Sequence, residues 1–157
     1  MYALRLWSVR HAGMLSGIYA GFERLLTWCD PLLRRVGYDR LEAPVAAVER
    51  GVKGALFDCR MCGQCILHST GMTCPMTCPK NMRNGPCGGV LPNGNCEIFP
   101  EKPCIWVLAW ERSKRMPVYG HKIVQIQAPV NHRLQGTSAW INDFHLQQEL
   151  TPEGWKE

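Results

Sequence analysis

The chain has 157 residues, a formal net charge of +5 and 46% hydrophobic residues. That length suits one domain with terminal extensions and excludes a (β/α)8 barrel, which needs about 250 residues. No run of about 18 uncharged apolar residues is present, so no transmembrane segment is expected. Arg5 and Arg10 interrupt the apolar start, so no signal-peptide core forms, and the expected location is cytoplasmic.

In chain order, residues 1–57 read as a helical N-terminal region. Leu15, Ile18, Phe22, Leu25, Leu26 and Cys29 fall on a helical stripe, with Glu23 and Arg24 off it. Asp30-Pro31 then reads as an N-cap with proline at the first helical position, and Gly37 as the stop of a short second helix. A third helix is expected from Pro44, carrying Val45, Val48, Val52, Ala55 and Leu56. Core packing is the expected role of these stripes. Trp7, Tyr19 and Trp28 keep a partner-docking or membrane-surface role open.

Residues 58–115 form a Cys-rich domain of different character. Between Cys59 and Cys104 lie eight of the nine cysteines, with six glycines and six prolines. Gly and Pro break regular structure, so the backbone here is expected to be mostly turns. With few apolar runs, ligand binding is the expected offset to the entropy of ordering these residues. After Cys104, Ile105 to Lys114 returns to a helical pattern. Residues 116–157 form a C-terminal extension, expected to dock a partner. Within it Ile123–Gln127 alternates as an extended segment, and Thr137 or Ser138 caps a last helix through Trp140, Ile141, Phe144 and Leu150.

The ligand candidates are Cys59, Cys62, Cys65, Cys74, Cys78, Cys87, Cys96 and Cys104. In a chain without export signals, such clusters read as metal ligands before disulfides. The run Cys59-x2-Cys62-x2-Cys65 can place three thiolates on three irons of one cubane, with a fourth Cys-Pro ligand arriving from elsewhere. Both Cys74-Pro75 and Cys78-Pro79 offer that fourth ligand. Eight cysteines suit two [4Fe–4S] clusters; zinc in one or both sites is the alternative. The fold expected is a small α-rich domain built around a loop-dominated metal-cluster core, flanked by N- and C-terminal helices.

Neighbouring motifs are weaker. Cys62-Gly63-Gln64-Cys65 resembles a thiol-redox pair but lacks the βαβ context that such a pair needs. His68 reads as a solvated loop residue, and Cys29 as a buried bystander on an apolar face. Gly88-Gly89 and Asn93-Gly94 permit positive φ and present N–H groups that can bond cluster sulfurs. No phosphate-binding glycine pattern occurs. The basic excess invites a nucleic-acid partner, but Lys80, Arg83, Lys102, Arg112, Lys114 and Arg115 are interspersed. Two oxidised clusters on eight thiolates add about −4, leaving about +1, so no nucleic-acid partner is expected.

The run Cys74-Pro-Met-Thr-Cys78-Pro-Lys-Asn-Met-Arg-Asn-Gly-Pro-Cys87-Gly-Gly resembles the C-terminal-like domain of methylenetetrahydrofolate reductase, as do Asn95-Cys96-Glu97 and Pro103-Cys104-Ile-Trp106. The likeness covers roughly Val48 to Lys114, with a looser echo at Gly136–Trp140. It implies a small iron–sulfur or zinc-finger-like subunit beside a flavoprotein methylenetetrahydrofolate reductase subunit, in one-carbon (folate) metabolism. Flavin is then expected on the partner barrel and two [4Fe–4S] clusters on the eight cysteines here. A ferredoxin or another redox donor completes the expected electron path. No catalytic base, nucleophile or folate clamp is identifiable, so no turnover is expected from this chain alone.

Overall fold

The computed structural model describes Trp7 and residues 10–146, which are helical and cysteine-rich with no strand among them. Helix α1 spans Ala12–Val36 and α2 spans Tyr38–Phe57, joined at Gly37 with φ 94°. Only glycine takes that φ at little cost, so it ends α1, and its N–H bonds the Leu33 carbonyl at 3.0 Å. Here the structure corrects the sequence reading. Asp30-Pro31 does not open a new helix; Pro31 lies inside α1, and Pro44 inside α2. The Asp30 carboxylate instead clamps the elbow, accepting from Arg34 and from the Tyr38 hydroxyl across the joint.

The faces of these helices also differ from expectation. On α1 only Ala12, Leu15 and Ser16, near its start, are buried, while Ile18, Leu25 and Trp28 are 60%, 54% and 79% exposed. On α2 the buried face is Ala46, Glu49, Lys53 and Phe57, leaving Val48 and Val52 exposed. An apolar stripe is a helix face that can be buried; it does not say that this chain buries it.

From Asp58 the backbone turns sharply. Asp58 itself is left-handed and caps α2: its N–H bonds the Gly54 carbonyl, and the Cys59 N–H bonds the Lys53 carbonyl. Two 3-10 turns follow, Leu67–Ser69 and Pro75–Thr77, and then two isolated antiparallel bridges, Val90 with Cys96 and Asn95 with Pro103. Helix α3 covers Ile105–Ser113, a 3-10 turn Gly120–Val124, another His132–Leu134, and α4 Ala139–Leu146. The alternating segment near Ile123 is therefore helical at its start. Ser138 does cap α4, accepting from Ile141 N at 3.3 Å. Leu150, expected on that helix, lies outside the described residues.

The core joins the start of α1 to the end of α2, the Cys-rich segment and Met116. Ala12, Leu15, Phe57, Leu67, Met72, Cys74 and Met116 form one buried cluster, with Cys65 and Met76 packed against it. The Cys-rich segment thus contributes apolar side chains of its own, set singly between cysteines. Residues 127–142 return across the Cys59–Cys65 loop. Asn131 N donates to Gln64 Oε1 at 2.7 Å, Gly136 N to the Met61 carbonyl at 2.7 Å, and Asn142 Nδ2 to the Gly63 carbonyl at 2.9 Å. No helix among the described residues is long and apolar enough to cross a membrane.

Candidate metal centres

The fold sorts the eight predicted cysteines into two sets of four. Cys59, Cys62, Cys65 and Cys74 surround a small cavity of about 20 Å³. Cys78, Cys87, Cys96 and Cys104 line a second cavity of about 210 Å³. The sequence left the fourth partner of Cys59, Cys62 and Cys65 open; the structure places Cys74 there. The Pro75–Thr77 turn carries the chain from Cys74 in one set to Cys78 in the other. Cys29 sits half-buried on α1 and lines neither cavity. His68 is also elsewhere, half-buried between Tyr19 and Tyr119, at ring separations of 6.1 and 5.6 Å, so it is no solvated loop residue.

Backbone N–H groups reach the sulfurs of the first set, although not from the expected glycines. Met61 N lies 3.3 Å from Cys59 Sγ. The backbone of Leu67 and of Met76 likewise pulls the Cys65 and Cys74 thiols down against burial. Each donor follows its cysteine by two residues, a local turn that needs no glycine donor. Of the glycines singled out, Gly94 has positive φ, whereas Gly88 and Gly89 do not. The role of Gly89 is close approach: a Cβ there would strike the Glu97 carboxylate.

Burial pushes the Cys59 thiol up to about 11 and the Cys74 thiol up to about 12, with neighbouring sulfurs adding to each. Burial also raises Cys65, against the pull of Lys53. Left to themselves these groups are neutral thiols at pH 7, so a metal entering the set must displace their protons.

Cations surround both sets, and the sequence reading missed their placement. In the first, Glu49 and Arg83 line the cavity beside the cysteines. Lys53 is 3% exposed and donates to Glu49 Oε1 at 2.6 Å, and its charge pulls the Cys65 thiol down against burial. In the second, Lys80, Lys102 and Arg112 line the cavity with the cysteines, and Lys80 pairs with Glu97. Four thiolates around either Zn²⁺ or an oxidised [4Fe–4S] core leave a net charge of about −2, which such cations offset.

The donor set of soft thiolates fits either centre in number and type. Size separates the sets. The larger cavity has room for a polynuclear centre, while the smaller matches a single water or ion as its side chains stand. Among the described residues no three Cys, His, Asp or Glu side chains already converge as ligands of one ion. The thiols must therefore turn inward for zinc, or spread for a cluster.

Residues 38–133 match the family described as methylene-tetrahydrofolate reductase C terminal, over more than half of the chain. The chain belongs to this family. In the methylene-tetrahydrofolate reductase C-terminal region as it occurs here, all eight clustered cysteines lie inside the match, which begins directly after Gly37. The match extends beyond both limits of the Val48–Lys114 resemblance. Helix α1 and helix α4 lie outside it. No curated protein and no solved structure matches the chain.

Proposed function

We propose that this chain is an iron–sulfur electron-transfer accessory subunit of a methylenetetrahydrofolate reductase-type complex. It would relay electrons to or from a flavin held by a partner subunit, with a ferredoxin or another donor at the other end. The observation that carries this reading is the sorting of eight thiols into two complete sets of four. Cys74 and Cys78 are only four residues apart, so their Cα atoms lie within about 14 Å even for extended chain. Two sulfur-bound centres at that separation form a relay, and neither needs a substrate pocket of its own. The centres supply one-electron chemistry when bound; the chain's own residues hold, insulate and charge-balance them.

The small first cavity favours a second reading for that set, a zinc ion that scaffolds the complex without electron transfer. Anaerobic co-purification with the flavoprotein, followed by iron, sulfide and zinc analysis and EPR, separates the two. About eight irons per chain and a reducible signal support the relay. A colourless chain with stoichiometric zinc and no iron overturns it.

A further inference from the structure

Helix α1 presents two sides of different fate. Its inner side is occupied: Leu15 joins the core, Tyr19 packs edge-on to Tyr119, and Phe22 lies against Trp140 with ring centroids 4.7 Å apart. Its outer side carries Met14, Ile18, Leu25, Trp28 and Leu32, each at least half exposed. Counting Gly21, these positions advance in steps of 4, 3, 4, 3 and 4 residues, the alternation of a and d positions in a coiled coil. The row runs about 27 Å along the helix. Monomeric proteins rarely leave a continuous apolar patch of that extent open unless something covers it.

The charges beside the row indicate what that is. Arg24 and Arg35 lie along one edge of it, both exposed. The carboxylates of α1, Glu23 and Asp30, fall on the opposite side, where Glu23 accepts from the Tyr119 hydroxyl and Asp30 from Arg34 and Tyr38. A second copy of α1 therefore brings no carboxylate to either arginine, whichever way it runs. The spacing is also that of a narrow seam, whereas a helix lying in a membrane surface turns a broad apolar face to the lipid. Gly21 sits within the row with open space before it, a gap that accepts a large side chain from a facing helix.

We infer that the outer face of α1 docks an amphipathic helix of another protein, apolar at matching heptad positions and edged with carboxylates that meet Arg24 and Arg35. No clustered cysteine takes part, and α1 lies outside the family match, so the inference goes beyond the proposed function and stands independently of it.

The test uses the full chain and two synthetic four-heptad peptides with leucine at every a and d position. One peptide has glutamate at e and g, the other lysine, and these like charges keep each from pairing with itself. Binding is followed by the fluorescence anisotropy of the labelled peptide. The glutamate peptide should bind at least tenfold tighter than the lysine peptide, and raising salt should narrow that gap. The double variant Leu25→Gln, Trp28→Gln should weaken glutamate-peptide binding at least tenfold. The double variant Arg24→Glu, Arg35→Glu should reverse the preference. All of these side chains are exposed, so circular dichroism should show both variants folded. Should the apolar variant fail to fold, the charge reversal carries the comparison.

Equal binding of the two peptides, or binding of neither, overturns the inference. So does a wild-type dimer, seen by light scattering, that the variant Leu25→Gln, Trp28→Gln dissolves, because a second copy is then the occupant. Attachment to vesicles of phosphatidylcholine and phosphatidylserine that the same variant abolishes, with neither peptide bound, makes the occupant a membrane and overturns it as well. Wild-type chain that holds no metal yet discriminates between the peptides overturns the proposed function alone.

Discussion

Gly63 sits between two ligand candidates, and replacing it by alanine should destabilise the chain by an amount the structure sets. Its φ is +73°, and a Cβ there would strike the Leu134 carbonyl while lying 2.7 Å from Leu134 Cβ and 2.8 Å from Thr137 Oγ1. A left-handed residue with a side chain costs about 1–2 kcal/mol. Forcing apart a packed contact adds about 1–3 kcal/mol. The smaller entropy of an unfolded chain with alanine returns about 0.4–1 kcal/mol. The net loss is about 1–4.5 kcal/mol, or roughly 2–18 °C in Tm for a chain of this size. Gly51→Ala is the opposite case: it lies on α2 in open space with an ordinary φ, and alanine there should stabilise by about 0.5–1 kcal/mol. Both variants are compared with the wild type at equal metal content by thermal and urea unfolding. Gly63→Ala within about 0.5 kcal/mol of the wild type would refute the close approach of residues 134–137 to the Cys62–Cys65 turn.

Other expectations address the sets and their surroundings. Cys74→Ser and Cys78→Ser should each abolish one centre and spare the other, halving bound metal, while the double variant keeps neither; metal counting after gel filtration checks this. Trp106→Phe removes the 2.9 Å bond from Nε1 to the Met82 carbonyl and should cost about 1 kcal/mol in urea unfolding without changing metal content. Pro31→Ala restores a missing N–H to the exposed C-terminal third of α1 and should raise helicity by circular dichroism and stability by up to about 3 kcal/mol. Burial, aided by Lys122, pushes His68 down to about 4 from an ordinary 6.5. The folded chain then binds fewer protons than the unfolded one between those values, so stability falls as pH drops from 6.5 towards 4. His68→Phe should flatten that part of the stability–pH curve.

Much of this architecture was legible in the residues because the signals were chemical. Cysteines at close spacing announce that Cys59, Cys62 and Cys65 gather around one cavity, Gly37 announces a helix end, and Ser138 announces a start. What misled was the assumption that apolar stripes face inward. On α2 the true inner face is displaced by a single position from Val45, Val48 and Val52 to Ala46, Glu49 and Lys53. An inward Glu–Lys pair at i,i+4 looks like an ordinary surface pair until something buries it. The signal that could have found it was present: Ala46, Glu49, Lys53 and Phe57 keep helical spacing and end on the most buried aromatic of the segment. The fourth cysteine of the first set was illegible for another reason. Cys74 and Cys78 are both followed by proline, and only the fold around Leu67 and Met72 places Cys74 in the core.

The position of the first set has a bearing on how the molecule is made. Its four cysteines close within sixteen residues, and the helices they rest on, α1 and α2, precede them in the chain. A ribosome emitting this sequence therefore delivers every thiol of that set, with most of its apolar bed, before Cys78 is translated. The second set waits for Cys104 and for α3 behind it. Biogenesis follows the order of the message: the inner site is complete while the outer one is still being synthesised, and residues 127–142 arrive last to close over it.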